Sequence, residues 1–264
     1  MMGKIGFFDS GFGGLQTMKY FYELYPQYDY MFLADNKNCP FGKKSGDEIQ
    51  KITFDALNWF FDNGAQIVIV ACNTAAAYSI RKRQTLYPNK KTLSITVPGV
   101  EEILLSENVG LSIGVIATQA TITSDIYNDL YYRFGGNKKP DFHFVMAPTL
   151  VDMVESGATE DKIIEEIKMY LAKFPKNLQI LVLGCTHFSV YKDYFAQLFS
   201  GKIIDPSFNS AIKFSDYLNK HSEIESQIGK TGKIDYYVIG DKNKFDEIGS
   251  KIWGKNISSQ SIII

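Results

Sequence analysis

Long apolar runs are absent from this sequence of 264 residues. It contains no window of about 18 consecutive apolar residues, which is the length that a membrane-spanning helix needs. The first residues, MMGKIGFFDSG, also lack the extended apolar stretch and the small-residue cleavage site of a secretory signal peptide. We therefore expect a protein of the cytoplasm that has no membrane partner.

A surplus of positive charge is absent as well. The 28 Lys and Arg residues are balanced by 29 Asp and Glu residues, which leaves a formal net charge of −1. Binding to nucleic acid or to an anionic surface depends on a positive protein surface, so the overall charge predicts no nucleic-acid partner. The apolar share of 45% and the charged share of 22% are typical of a globular protein.

Cysteine and histidine are scarce, with three of each: Cys39, Cys72 and Cys185, and His143, His187 and His221. Their positions match neither C-x-x-C nor another spacing typical of zinc ligands, so we expect no structural metal. Because disulfides are rare in the cytoplasm, the three cysteines are expected to be free thiols.

Motifs for the common cofactors are also missing. The stretch GFGG at 11–14 matches the dinucleotide fingerprint G-x-G-x-x-G only in part, because the third glycine is not at the required spacing. The chain has no P-loop and no lysine in a context typical of pyridoxal phosphate enzymes. We therefore expect a protein that works without a cofactor.

Strand-like and helix-like segments alternate along the chain, which indicates an α/β fold with mainly parallel sheets covered by helices. The predicted strands are 4–8, 28–35, 66–72, 92–97, 111–117, 141–146, 178–184, 201–205 and 234–239. The predicted helices are 15–25, 47–63, 73–87, 123–134, 160–173, 189–199, 209–220 and 242–253. The apolar runs IVIVA and ILVLG are typical of strands buried on both faces.

An internal repeat divides the chain into two parts. IGFFDSG begins at Ile5 and IGVIATQ begins at Ile113, and each is followed by an apolar run that ends in a cysteine, Cys72 or Cys185. The repeat predicts two α/β domains of similar plan. Because strands and helices continue after Cys185, we expect the C-terminal stretch to return to the first half. This gives a discontinuous first domain of residues 1–97 and 208–264, and a second domain of residues 98–207.

Each repeat places a cysteine between a buried strand and a helix, at the sheet edge where ligands of parallel sheets bind. The first turn of a helix offers unpaired N–H groups and a partial positive charge, which favour a thiolate and suit a carboxylate ligand. That charge contributes about 0.3–1 kcal/mol, whereas one pKa unit corresponds to about 1.4 kcal/mol. A reactive thiolate therefore needs another polar neighbour, and His187 and Asp9 are the candidates.

Two thiols from opposite halves suit the removal of a proton from one face of a carbon and the delivery of a proton to the other face. The pattern therefore indicates racemisation or epimerisation without a cofactor. Glycines in DSGFGG, after the first strand, would allow the backbone to approach a small ligand closely.

In six stretches the sequence resembles the cofactor-independent glutamate racemases of the aspartate/glutamate racemase superfamily. They follow the family's order and span almost the whole chain: IGFFDSGFGGL (5–15), FLADNKNCPFGKKS (32–45), IVIVACNTA (67–75), IGVIATQATITSDIY (113–127), LVLGCTHF (181–188) and YVIGDKNKF (237–245). His187 after GCT favours the glutamate branch over the aspartate branch. Phe41 departs from the family's usual tyrosine and lacks its hydroxyl group.

The resemblance implies two pseudo-symmetric domains with the active site in the cleft between them. Cys72 and Cys185 would be the acid/base thiols on opposite faces of the substrate Cα, and Asp9 and His187 would tune them or relay protons. The positions that match glutamate-binding residues are Asp9, Ser10, Phe41, Gly42, Asn73, Thr74, Thr186 and His187. The resemblance also implies a homodimer in a bacterial cytoplasm that supplies D-glutamate for peptidoglycan.

Two other functions stay open. A related racemase or isomerase acting on aspartate, a hydantoin or maleate would use the same thiols in a differently lined pocket. A two-domain amino-acid binding protein would bind glutamate without catalysis, although a binding protein has no need for two reactive thiols.

Overall fold

A computed structural model of the chain describes residues 2–106, 112–136 and 140–264. Its strands are β1 Lys4–Asp9, β2 Tyr30–Asp35, β3 Ala65–Val70, β4 Lys91–Ser94, β5 Ser112–Ala117, β6 Asp141–Met146, β7 Ile180–Gly184, β8 Lys202–Ile204, β9 Ile234–Ile239 and β10 Gln260–Ser261. Its helices are α1 Gly13–Leu24, α2 Gly46–Asp62, α3 Asn73–Leu86, α4 Thr96–Ser106, α5 Gln119–Thr123, α6 Ile126–Arg133, α7 Pro148–Ser156, α8 Glu160–Leu171, α9 Thr186–Val190, α10 Lys192–Leu198, α11 Pro206–Lys220, α12 Ser222–Glu225 and α13 Lys242–Trp253. A short 3₁₀ helix spans Phe41–Lys43.

The strands form two parallel sheets in the described part of the chain. The first has the order β10-β9-β2-β1-β3-β4, and the second has the order β6-β5-β7-β8. The order β2-β1-β3-β4 in the first sheet is repeated by β6-β5-β7-β8 in the second, so that β1 corresponds to β5 and β3 to β7. The predicted fold class of two similar halves with parallel sheets is confirmed.

The central strands are buried because helices cover both faces of each sheet. Every residue of β2, β5 and β7 is buried, as the uninterrupted apolar runs predict. The C-terminal strands β9 and β10 pair beside β2 and so extend the first sheet. The domain boundaries at residues 97 and 207 stay a prediction, and α4 and α11 pack against each other beside both boundaries.

Helices α4 and α7 are among those that were not predicted, and each has a proline near its beginning. Pro98 lies in the first turn of α4 and Pro148 is the first residue of α7. Proline is tolerated there because the N–H groups of the first turn have no partner inside the helix.

The predicted helix 123–134 is broken by Asp125, whose φ of 57° is left-handed and separates α5 from α6. The predicted strand 111–117 begins with a residue that lies outside the described ranges.

One buried apolar cluster joins the two halves. It includes Phe7 and Ile69 from the first sheet and Leu181 and Leu183 from the second. Burial of a side chain of this size contributes about 1.5–3 kcal/mol, so the cluster holds the two sheets in a defined arrangement.

None of the helices among the described residues has the length and apolar character that a membrane crossing requires.

Candidate active site

The repeated sheet order brings the two predicted thiols to equivalent positions. Cys72 follows β3 by two residues and is the N-cap residue of α3, and Cys185 directly follows β7 and is the N-cap residue of α9. Both side chains are buried, with exposed fractions of 4% and 6%. Each thiol therefore lies at the carboxyl end of a central strand, where parallel sheets bind their ligands.

Cys72 is held as a neutral thiol in this arrangement. Its Sγ accepts a hydrogen bond from the Ala75 backbone N–H at 3.4 Å and lies 3.4 Å from the Ser10 hydroxyl oxygen. Burial and the nearby Asp9 carboxylate raise the Cys72 pKa to about 12, against the opposing effect of those two hydrogen bonds. At neutral pH the Cys72 sulfur therefore carries a proton.

Cys185 has a cationic partner. Its Sγ lies 3.7 Å from Nδ1 of His187, and Nε2 of the same ring lies 2.7 Å from Oε1 of Glu155. Burial alone would lower the His187 pKa, but the hydrogen bonds to Cys185 and Glu155 raise it well above its ordinary value. His187 is therefore an imidazolium at neutral pH, and it places a positive charge beside the Cys185 sulfur.

Glu155 holds the histidine in place and joins the two halves. Although burial favours its protonated form, hydrogen bonding and the charge of His187 lower the Glu155 pKa. Its Oε1 also accepts a hydrogen bond from the Phe12 backbone N–H at 3.2 Å, in the loop between β1 and α1. The sequence reasoning missed Glu155 as a site residue because α7, which carries it, was not predicted.

Asp9 lies at the end of β1, near Cys72, and it forms a hydrogen bond with Thr186, the residue after Cys185. Its carboxylate accepts hydrogen bonds from the Gly11 backbone N–H at 2.9 Å and from the Thr186 hydroxyl at 3.1 Å. Burial raises the Asp9 pKa to about 6, although the charge of His187 opposes the shift. Its carboxyl group can therefore gain or lose a proton close to neutral pH.

A triangle of threonine hydroxyls forms a second polar link between the halves. Oγ1 of Thr74 lies 2.9 Å from that of Thr118 and 3.0 Å from that of Thr121. Thr118 and Thr121 were not predicted as site residues. The repeat contains a signal for the first, because IGFFDSG and IGVIATQ place Ser10 and Thr118 at equivalent positions.

The remaining predicted residues also follow the carboxyl ends of strands, in the first sheet for Phe41, Gly42 and Asn73 and in the second sheet for Thr186. Asn73 and Thr186 are the buried first residues of α3 and α9, and Phe41 is buried at the start of the 3₁₀ helix. Gly42 follows it, and a Cβ atom there would lie 2.9 Å from Cβ of Thr118, so only glycine permits this approach. In the described structure the buried Nδ2 atom of Asn73 has no hydrogen-bond partner, which leaves a donor for a ligand carboxylate.

Cys39 lies beside the site, although the sequence indicated no role for it. Its sulfur, a Glu155 carboxylate oxygen and a His187 ring nitrogen lie within 4.8 Å of one another. Burial is the main reason that the Cys39 pKa is raised, and the charges of Glu155 and Asp9 add to the effect. Among the described residues, these three side chains form a group that could hold a metal ion.

The part of the site around the two thiols is buried, with Cys72 and Cys185 only 4% and 6% exposed. Asp9 is fully buried, and His187 is only 2% exposed. A cavity of about 1200 Å³ between α3, α4, α6 and α11 is lined by neither of the two buried thiols. Near these thiols, the Asp9–Thr186 and Thr74–Thr118 hydrogen bonds connect the two halves.

Comparison with known proteins places this geometry among racemases. The sequence profile of the family described as Asp/Glu/Hydantoin racemase matches residues 22–207. A glutamate racemase of Persephonella marina is 32% identical over 264 residues, which cover 98% of this chain and 96% of the relative. A glutamate racemase of Aquifex aeolicus is 30% identical over 256 residues, which cover 96% of this chain and 95% of the relative.

Solved structures agree with the sequence relatives. A glutamate racemase isoform of Bacillus anthracis superposes with a TM-score of 0.87 at 26% identity, covering 99% of this chain and 98% of that protein. A glutamate racemase of Francisella tularensis in complex with D-glutamate has a TM-score of 0.86 at 27% identity, covering 99% of this chain and 97% of that protein. The similarity extends over both halves of the fold.

Proposed function

Because this chain belongs to the Asp/Glu/Hydantoin racemase family, we propose that it interconverts L-glutamate and D-glutamate without a cofactor, with Cys72 and Cys185 as the acid/base pair. The observation that carries the proposal is the pair of buried thiols at equivalent strand ends, each with its own ionisable neighbour. The names of the relatives support glutamate as the substrate.

The two thiols have different neighbours: Cys185 lies beside the cationic His187, and Cys72 lies near the Asp9 carboxylate. Cys185, whose sulfur lies beside the imidazolium of His187, would remove the α-proton from one enantiomer. Cys72, whose pKa is raised to about 12, would donate its proton to the opposite face of the resulting carbanion. In the reverse direction the roles exchange, and Asp9 is close enough to influence the proton on Cys72.

Polar groups around the thiols would hold the substrate. The unpartnered Nδ2 of Asn73 and the first-turn N–H groups of α3 would bind a carboxylate. We assign the other substrate contacts to the remaining residues that the sequence predicts: Asp9, Ser10, Phe41, Gly42, Thr74, Thr186 and His187. Phe41 would contribute only its backbone and ring, since it has no hydroxyl group.

The biological setting belongs to the same proposal. D-glutamate made by this enzyme would enter peptidoglycan biosynthesis in a bacterial cytoplasm, and the enzyme would act as a homodimer. The support for these points is the resemblance to the glutamate racemases. Light scattering of the purified protein tests the dimer, and a mass of one chain would contradict it.

The activity itself has a simple test. The purified protein, incubated with L-glutamate and no added cofactor, is expected to drive the circular dichroism signal of the amino acid to zero. L-aspartate should react at least about tenfold more slowly, because it lacks one methylene group and its side-chain carboxylate would not reach the same partners. Binding of glutamate by folded protein without any loss of signal would instead indicate the catalytically silent binding protein, and equal rates on both substrates would contradict the preference for glutamate.

A further inference from the structure

Three metal-ligand side chains meet across the cleft, and the proposed reaction uses only two of them. Cys39 comes from the loop after β2 in the first sheet, whereas Glu155 and His187 lie on α7 and α9 beside the second sheet. Their ligand atoms lie within 4.8 Å of one another. Cys39 and Glu155 are half-buried, so a small cation could reach this group from solvent.

The chemistry of the group selects one class of cation. Thiolate, imidazole and carboxylate are the ligands of four-coordinate zinc, at about 2.0–2.3 Å from the ion. Magnesium and calcium prefer sets made only of oxygen atoms, so this mixed set excludes them. Neighbouring ligands around a tetrahedral zinc ion lie roughly 3.3–3.8 Å apart, so a side-chain movement of about 1 Å would complete the site.

We propose that Cys39, Glu155 and His187 form an inhibitory site for Zn²⁺, distinct from the pair of catalytic thiols. On binding, the ion replaces the Cys39 thiol proton and the His187 Nε2 proton, and both are released to water. The hydrogen bond between His187 and Glu155 is exchanged for two bonds to the metal. Water would fill the fourth position, and no oxidation or reduction takes place.

The position of the site explains why the ion would inhibit, and this step rests on the proposed racemase function. The metal would tie the loop of Cys39 to α7 and α9, and so join elements that pack beside different sheets. Cys72 and Cys185 are only 4% and 6% exposed, so glutamate reaches them only when the halves separate. A cation that fixes the closed arrangement would therefore slow the entry of substrate and lower kcat/KM.

Binding of Zn²⁺ can be measured without substrate, by competition with a chromophoric chelator. We expect one ion per wild-type chain and a Kd at least about tenfold higher in Cys39→Ser, since even loss of an outer-shell partner costs about 10–100-fold. Cys72→Ala is the matched control and should bind Zn²⁺ as tightly as the wild type. Equal affinity in Cys39→Ser, or loss of binding in Cys72→Ala, would overturn the site.

Inhibition is then measured against the uninhibited rate of each variant. The Zn²⁺ concentration that halves kcat/KM should rise in Cys39→Ser by the same factor as the Kd. If Zn²⁺ binds as expected but the wild-type protein does not racemise glutamate, the metal site stands and the proposed function fails. If the protein racemises glutamate and Cys39→Ser is as sensitive to Zn²⁺ as the wild type, the inhibitory site fails alone.

Discussion

Replacing Cys72 or Cys185 with alanine should lower the rate of glutamate racemisation by about 10⁴-fold or more, in both directions. General acid–base catalysis typically contributes about 10²–10⁴-fold, and the upper end applies because each thiol is the proton donor or acceptor on its own face. The two enantiomers are equally stable, so a loss of kcat/KM in one direction must be matched in the other. The measurement is the circular dichroism of each enantiomer with time.

The two single variants should differ from each other in hydrogen exchange. With one thiol left, any residual exchange of the α-hydrogen with deuterium oxide should be confined to the enantiomer that presents its hydrogen to that thiol. The variants Cys72→Ala and Cys185→Ala should therefore leave exchange in opposite enantiomers. Exchange in the same enantiomer for both variants would place the two thiols on one face of the substrate and contradict the assignment.

A combined variant provides a control for the interpretation. Because both thiols belong to one proton-transfer path, the double variant should be no slower than the slower single variant. Glutamate binding, measured by calorimetry, should persist in all three proteins, since the proposed carboxylate and ammonium contacts come from other side chains. Loss of binding together with activity would indicate damage to the fold rather than removal of an acid or base.

Replacing His187 with asparagine should lower kcat/KM by about 10²-fold or more. Asparagine carries no charge, so the Cys185 sulfur would lose the positive neighbour that lies 3.7 Å from it. Proton transfer at Cys185 would then limit the rate. The deuterium isotope effect should therefore increase mainly for the α-deuterated enantiomer whose hydrogen faces Cys185.

Glu155→Gln is the matched variant, because it keeps the shape of the side chain and removes only its charge. The carboxylate helps to raise the His187 pKa, so its loss should lower that pKa. The imidazolium is present below its pKa and is lost as the pH rises through that value. The alkaline limb of the kcat/KM profile should therefore move to lower pH in Glu155→Gln, and an unchanged limb would show that His187 does not act through its charge.

Much of the fold and part of the site follow from the sequence because the signals are local. A buried strand has an uninterrupted apolar run, and the repeat of strand, cysteine and helix is visible as two similar phrases around Cys72 and Cys185. Asp9 and Thr186 could be placed at the carboxyl ends of strands because β1 ends at Asp9 and β7 ends two residues before Thr186. These features depend on residues that are close together in the chain.

The contacts across the cleft could not be predicted in the same way. Glu155 lies 32 residues before His187 in the chain and contacts it from α7. That helix was not predicted because a proline such as Pro148 can follow the end of a helix as well as begin one. Cys39 approaches the same pair from the other half, where no repeat partner marks it. Thr121 contacts Thr74 across 47 residues. Such pairs are set by how the two halves pack, which periodicity does not encode.

The most direct test of the two-thiol proposal is the isotope content of both enantiomers early in the reaction. L-glutamate is allowed to react to about a tenth of completion in deuterium oxide, and the α-position of each enantiomer is analysed by mass spectrometry after chiral separation. With separate thiols on opposite faces, the D-glutamate formed should carry deuterium almost completely, while the remaining L-glutamate should keep its protium. Protium retained in the D-glutamate would mean that one group moves the same proton from face to face, and the proposal of two opposed thiols would then be wrong.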